Sequence, residues 1–185
     1  MSYEFNFSEW MLWEKREAEF EYLKFPGVYL ISISNVGNKN IVGRKFDHTK
    51  KKDWKNVSYI DMTTASLRSR WNQFDNAIKG NKGHSGGNTI YNDFIKHTVL
   101  KTREKSQRDF KKYWREVWGN YRIYVCAQPN TEISKEKEVQ YYKGLGEIAK
   151  CEYDAISCYL DKIGNFEKLY NRLPGSYYKK AWEKP

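Results

Sequence analysis

Between residues 57 and 78 the hydrophobic pattern changes its period, which restricts this part of the chain to a strand followed directly by a helix. Residues 57–62 are β-branched or aromatic at alternate positions and too few for a helix, so they predict a strand. Thr63 and Thr64 are suitable residues to cap the helix that follows. Apolar residues then recur with helical spacing at Leu67, Trp71, Phe74 and Ile78.

Arg70 borders the apolar face of this predicted helix, because it lies three residues after Leu67 and four before Phe74. A guanidinium held against a sheet by its own helix is a fixed, permanently charged fork that suits a phosphate. A structural arginine whose aliphatic part covers Trp71 or Phe74 gives the same pattern. Both roles, phosphate binding and packing, stay open on this segment alone.

The net charge favours a polyanionic partner. The 185 residues are long enough for a single domain spanning 1–185, and 33 Lys plus Arg against 23 Asp plus Glu give a formal charge of +10. Nucleic acid is the commonest polyanion that such an excess binds, because neutralising phosphates releases condensed counterions. A composition rich in lysine, asparagine and tyrosine also arises from an AT-rich genome, so the charge alone does not establish the partner.

Cysteine usage and hydropathy indicate a cytoplasmic protein. Cys126, Cys151 and Cys158 form no C-x-x-C pair and are odd in number, which is typical of reduced thiols. The sequence shows no signal peptide, no lipidation site and no apolar run of about eighteen residues. We therefore expect no membrane partner.

Other segments have simpler patterns. A leader helix capped by Ser8 is predicted within residues 1–25, where Pro26 and Gly27 end it. Strands are predicted over 27–34, 40–46 and 121–128, and the first of these is apolar on both faces and hence central.

Residues 79–88 contain four glycines, which predicts a loop rather than a regular element. Backbone N–H groups of such a loop, bordered by Lys79, Lys82 and His84, can approach phosphate oxygens. A flexible surface connection has the same composition. The loop is not a Walker loop, because the G-x-x-x-x-G-K-[ST] order is absent.

Asn88 is a candidate cap for a helix running to about Thr102, and the basic stretch 96–115 follows. This stretch includes Lys111 and Lys112, and its interleaved aromatic residues are typical of a nucleic-acid contact. A solvated amphipathic helix gives the same pattern.

The longest predicted helical region runs from Thr131 to about Leu160, with Gly144 and Gly146 as candidate break points. Most of its glutamates are typical of solubilising surface charge. Glu152 differs, because it starts an apolar helix face that ends at Gly164, a typical C-cap.

Together these residues resemble the GIY-YIG nuclease family. The first triplet is similar to Gly27-Val28-Tyr29, the second to Tyr59-Ile60-Asp61, and the helix arginine to Arg70 in Leu67-x-x-Arg70. The family's closing pattern is similar to Glu152, Ile156, Tyr159, Gly164 and Asn171. The run Gly83-His84-Ser85-Gly86-Gly87 resembles a bacterial and phage subgroup in which a GHxGG-like loop follows the arginine helix.

Several features depart from the family pattern. Asp61 stands where the second triplet has glycine, and about thirty residues separate the triplets. Ile41-Val42-Gly43 is a rival second triplet at a shorter spacing, but it lacks the tyrosine and no Leu-x-x-Arg helix follows it closely. Phe74 occupies a position where many members carry histidine, which makes His84 the natural substitute.

The resemblance implies an α+β fold with a small antiparallel sheet flanked by helices, a core over 27–171 and a C-terminal tail over 172–185. It implies catalytic roles for Tyr29, Tyr59, Arg70, His84 and Glu152. Glu152 would bind Mg²⁺ or Mn²⁺, Arg70 would stabilise phosphoryl charge, and one tyrosine would orient or deprotonate the attacking water, with His84 assisting as base or proton donor. Nucleic-acid contacts are expected from Lys79, Lys82, Ser85, Lys111, Lys112 and Asn171.

The first functional hypothesis is therefore a metal-dependent endonuclease of restriction, phage or homing type. It would act on double-stranded DNA as a monomer or homodimer. A catalytically silent nucleic-acid-binding domain on the same scaffold is the alternative, motivated by Asp61. An RNA-processing or protein-interaction module is a third hypothesis.

Overall fold

A four-stranded antiparallel sheet with helices on both faces forms the domain, which confirms the predicted α+β fold. The computed structural model describes residues 3–81, 83–92, 120–133 and 137–171. Within them the strands are β1 (Met11–Leu12), β2 (Gly27–Asn35), β3 (Tyr59–Thr63) and β4 (Tyr121–Pro129), in the order β1-β4-β2-β3. The helices are α1 (Arg16–Glu19), α2 (Lys51–Trp54), α3 (Leu67–Ile78), α4 (Ser85–Ile90) and α5 (Glu138–Ile163).

Strand β2 is central and apolar on both faces, as its sequence predicts. Tyr29 and Ile31 face α3, and they belong to a cluster with buried residues of that helix. Val28 and Leu30 alternate with them and pack on the opposite face, in a second cluster that includes residues of α5. Two cores therefore share one sheet.

The predicted strand-to-helix transition is confirmed, with a shifted cap. Ser66, not Thr63 or Thr64, caps α3, because its Oγ accepts a hydrogen bond from the Ser69 N–H at 3.2 Å. The Thr63 hydroxyl instead accepts from the Ala65 N–H in the turn before the cap. All four apolar positions of the predicted helix face are buried: Leu67, Trp71, Phe74 and Ile78.

The predicted leader helix over 1–25 is wrong for most of its length. Met11 pairs with Val125 in β1, a short 3-10 turn covers Trp13–Lys15, and only α1 is α-helical. The Ser8 N–H donates to Ala127 O at 2.8 Å, so this residue joins the sheet edge instead of capping a helix. Backbone pairing with β4 outweighs the helical spacing of the apolar residues.

Two other segments differ from prediction. Residues 40–46 form no strand, since Gly43 has φ +73° in a turn and only Lys45 makes an isolated bridge, to Glu9. Helix α5 continues through Gly144 and Gly146 without a break and ends at Gly164, whose φ of +89° confirms the predicted C-cap. The predicted strand 121–128 is confirmed as β4.

The three cysteines carry free thiols, as predicted. The basic stretch 96–115, most of the helix predicted to run to Thr102, and the tail 172–185 lie outside the described residues.

Candidate active site

Asp61 is the centre of a hydrogen-bonded cluster on the α3 face of the sheet. It lies directly opposite Tyr29 in the β2–β3 register, so both side chains point to the same face. Its Oδ2 accepts from the Tyr29 hydroxyl at 2.6 Å and from Arg70 Nε at 2.8 Å, and lies 3.1 Å from His84 Nε2. The two strands, α3 and the segment before α4 thus converge on one carboxylate.

Arg70 binds Asp61 side-on with two nitrogens. Its Nε contacts Oδ2 at 2.8 Å and its Nη2 contacts Oδ1 at 3.3 Å, while 27% of the side chain stays exposed. Burial lowers the pKa of Arg70, but the hydrogen bond and charge of Asp61 outweigh burial and raise it above its usual value. Burial likewise raises the pKa of Asp61, yet hydrogen bonds from His84 and Arg70 hold it below its ordinary value. The pair is therefore fully charged at neutral pH.

His84 caps α4 and donates into the cluster. The Gly87 N–H donates to His84 Nδ1 at 3.1 Å, so Nδ1 carries no proton and Nε2 carries the one of the neutral ring. Nε2 lies 3.0 Å from the Tyr29 oxygen and 3.1 Å from Asp61 Oδ2. The His84 side chain is fully buried. Because Nε2 is directed at Asp61 and Tyr29 and the ring is buried, this arrangement favours neither predicted role of His84, base or proton donor to the substrate, and assigns it to holding Asp61.

The glycines after His84 allow close packing of a helix. The second half of the predicted loop 79–88 is helical, because α4 begins at Ser85. A Cβ on Gly86 would lie 2.0 Å from Cζ of Tyr59, and one on Gly87 would lie 2.6 Å from Cβ of Ala77. Glycine at both places therefore lets α4 approach β3 and α3 closely. Asn88, predicted as a helix cap, lies inside α4.

Tyr29 and Tyr59 form the buried floor of the cluster. Tyr29 is 0% exposed and Tyr59 4% exposed. Burial, followed by the charge of Asp61, raises the pKa of both phenols well above its usual value. Because the Tyr29 hydroxyl already donates to Asp61, this geometry does not favour the predicted role of a tyrosine in deprotonating water.

Glu152 approaches the cluster from the other side of the sheet. It lies on α5, which packs across the opposite face and against the edge strand β3. Burial and, to a smaller extent, the charge of Asp61 raise its pKa while Arg70 lowers it, and the net result is a pKa of about 7. Glu152 also contributes to the raised pKa of Tyr59. The far-downstream acid is thus close enough to the cluster for their charges to interact.

Glu152 is the carboxylate that fits a bound cation. Among the described residues it makes no hydrogen bond and no ion pair, although it is half-buried. Within the same part of the chain no group of three or more His, Cys, Asp or Glu side chains forms a metal site. Mg²⁺ keeps several waters and is held by one or two carboxylates plus substrate phosphates, so a single free carboxylate matches its requirements.

The predicted nucleic-acid contacts divide into three groups. Asn171 is committed to β3, because its side-chain amide accepts from the Ile60 N–H at 2.8 Å and donates to the Ile60 carbonyl at 2.6 Å; this gives it a structural role. Ser85 is exposed as the first residue of α4, and Lys79 pairs with Asp75. Lys82, Lys111 and Lys112 lie outside the described residues.

Asp61 is the site residue that sequence reasoning missed. In the family pattern Asp61 is only a departure from a glycine. In the structure its carboxylate contacts Tyr29, Arg70 and His84. A signal was present, since an acid inside an apolar strand, two residues after Tyr59, needs a buried partner. That partner is Arg70, which borders the apolar face of the helix that follows the strand.

No family model matches the chain, and no curated protein and no solved structure matches it significantly. A search of the described residues found no helix with the length and hydropathy needed to cross a membrane.

Proposed function

We propose that this protein is a metal-dependent endonuclease that hydrolyses DNA phosphodiester bonds, on a scaffold of the GIY-YIG type. One observation carries the proposal: an arginine and a tyrosine meet at Asp61, and a half-buried glutamate without a partner among the described residues lies close enough to interact with their charges. The overall charge of +10 supports a nucleic-acid substrate.

Arg70 would bind the phosphoryl oxygens of the scissile phosphate. Its guanidinium is charged, is held by α3, and keeps 27% of its side chain open to solvent. Preorganised donors of this kind stabilise the charge that develops in the transition state. Loss of one such donor costs about 3–4 kcal/mol in the barrier, or roughly a hundred- to a thousandfold in rate.

Glu152 would hold Mg²⁺ or Mn²⁺, which when bound supplies neutralisation of phosphate charge and a more acidic water. Burial keeps the pKa of Glu152 raised, at about 7, and no described side chain supplies a positive charge that pairs with it. A bound metal ion would supply that charge.

Tyr29 and His84 act as positioning residues in this proposal. Both are buried, and their hydrogen bonds fix the carboxylate that pairs with Arg70 in the free protein. Tyr59 supports the same layer by packing against Phe74, with ring centroids 5.9 Å apart.

A plasmid cleavage assay with Mg²⁺ tests the proposal. Arg70→Ala and Glu152→Ala should each lower the rate by about a hundredfold or more. Arg68→Ala, an exposed arginine of the same helix, and Glu138→Ala, an exposed acid of α5, are matched controls and should cleave at nearly the unaltered rate. Equal cleavage by all variants would remove the assignment.

A nucleic-acid-binding domain without nuclease activity is the second candidate. The ion pair between Arg70 and Asp61 favours it, because the guanidinium already has an anionic partner. This candidate predicts salt-dependent DNA binding without cleavage in Mg²⁺ or Mn²⁺. Cleavage that Glu152→Ala abolishes would exclude it.

A further inference from the structure

The carboxylate of Asp61 sits on Arg70 as a phosphate would. Two parallel contacts, Nε to Oδ2 at 2.8 Å and Nη2 to Oδ1 at 3.3 Å, occupy one whole edge of the guanidinium. Arginine uses the same two-nitrogen arrangement to bind phosphate. The remaining nitrogen, Nη1, has one long contact at 3.5 Å with Gln73 Oε1 in an exposed position.

We propose that Asp61 is an internal competitor for the anion site of Arg70, so that a backbone phosphate of DNA binds by displacing the guanidinium from Asp61. The proposal rests on the proposed nucleic-acid function and adds a residue that sets the affinity of that site. In the free protein Arg70 of α3 is bound by Asp61 of β3, and binding of the substrate exchanges this carboxylate for a phosphate.

The surrounding hydrogen bonds lower the free-energy cost of this exchange. Asp61 Oδ2 keeps the donors Tyr29 at 2.6 Å and His84 at 3.1 Å when Arg70 leaves, so the buried carboxylate remains solvated by the protein. Arg70 is the partly exposed member of the cluster, whereas His84 is fully buried. Arg70 can therefore turn toward solvent while the floor of the site stays in place.

The geometry also restricts which anions compete. A ligand must offer two oxygens about as far apart as those of a carboxylate to replace both contacts, which a phosphate does and a halide does not. Competition from Asp61 therefore lowers the affinity of Arg70 for every anion. Phosphate is still preferred over a halide, because only phosphate replaces both contacts.

A double-mutant cycle on DNA affinity separates this competition from a general loss of negative charge. Binding of a short fluorescent duplex is measured in EDTA, which prevents cleavage, for the unaltered chain, Asp61→Asn, Arg70→Gln and the double variant. Asp61→Asn should tighten binding by about five- to tenfold, and by less than about twofold when Arg70 is already Gln. In the matched background Arg68→Gln the full gain should persist. An equal gain in all backgrounds would overturn the proposal.

A measurement on the unaltered protein covers the case in which Asp61→Asn does not fold. The ¹H–¹⁵N signal of Arg70 Nε is followed as inorganic phosphate is added, with chloride at equal ionic strength as the control. Phosphate should shift this signal and chloride should not; no shift with phosphate would overturn the proposal.

The two proposals can fail separately. If the duplex does not bind but phosphate moves the Arg70 signal, the nucleic-acid function is wrong and the competition at Arg70 stands for phosphate alone. If the duplex binds and Arg70→Gln leaves its affinity unchanged, the nucleic-acid function survives and the role of Asp61 is refuted.

Discussion

Replacing Glu152 with glutamine should make the protein more stable at alkaline pH and leave its stability unchanged in acid. Burial raises the pKa of this carboxyl from its ordinary 4.5 to about 7. A shift of that size corresponds to about 3 kcal/mol, and partial exposure of the carboxyl to solvent reduces the expected effect to about 1–2 kcal/mol.

The direction follows from proton binding. A carboxyl with a raised pKa binds its proton more tightly in the folded chain, so its contribution is fully present below about pH 4.5 and is lost as the pH rises through about 7. Glutamine stays neutral throughout. At pH 8 the Glu152→Gln variant should therefore exceed the unaltered chain by about 1–2 kcal/mol in free energy of unfolding, and near pH 4.5 the two should agree.

Urea unfolding of both proteins between pH 4.5 and 8, without divalent cations, measures this difference. Glu138→Gln, an exposed acid of the same helix, is the control and should change stability by less than about 0.5 kcal/mol at either pH. A Glu152→Gln effect that is the same at both ends of the range, or destabilising at pH 8, would refute the assignment of Glu152 as a half-buried carboxyl without a partner among the described residues.

Three further substitutions test the packing and roles around the cluster. Gly86→Ala should destabilise by about 1–3 kcal/mol in thermal unfolding, because its Cβ would overlap the Tyr59 ring; Gly146→Ala in α5, where a Cβ meets nothing within 4 Å, should be neutral or stabilising. Asn171→Ala should cost about 1–3 kcal/mol in urea unfolding, since it leaves two backbone groups of β3 without partners. Tyr29→Phe should lower DNA cleavage by less than about tenfold if the phenol only positions Asp61; a loss of a hundredfold or more would restore it as the general base.

The fold was predictable wherever one periodicity dominates. The alternation of β3 and the 3.6-residue period of α3 are both local, and both segments folded as predicted. The structure of the leader segment was not predictable, because its apolar residues also fit a helix. It forms β1 because Met11 pairs with Val125, more than a hundred residues away. Long-range pairing is invisible to a local pattern.

The members of the candidate site were predictable in part, and their chemical roles were not. The sequence placed five residues in one site: Tyr29, Tyr59, Arg70, His84 and Glu152. In the structure Tyr29, Arg70 and His84 meet at Asp61, whereas Glu152 lies on α5 across the sheet and interacts with them through its charge. Burial was not readable from the residues. The resemblance therefore implied that a tyrosine orients or deprotonates the water and that His84 acts as base or proton donor, although Tyr29 and His84 are buried against Asp61. The aspartate in the place of a glycine was a readable signal, because an acid inside an apolar strand needs a buried partner, but local sequence does not show which side chains come to surround it.

Charge balance within the site predicts that phosphate and cation bind cooperatively. In the free protein Arg70 and Asp61 compensate each other, and burial suppresses the charge of Glu152. If a phosphate draws Arg70 away, Asp61 loses the charge that compensates it and Glu152 loses the nearby positive charge that lowers its pKa, and a divalent cation would restore a positive charge to both. Duplex affinity should therefore rise by about five- to a hundredfold when Ca²⁺ replaces EDTA in a fluorescence-anisotropy titration. Glu152→Gln should lose this gain while keeping its affinity in EDTA; an equal response of both proteins to Ca²⁺ would show that the cation acts on the DNA and not at this site.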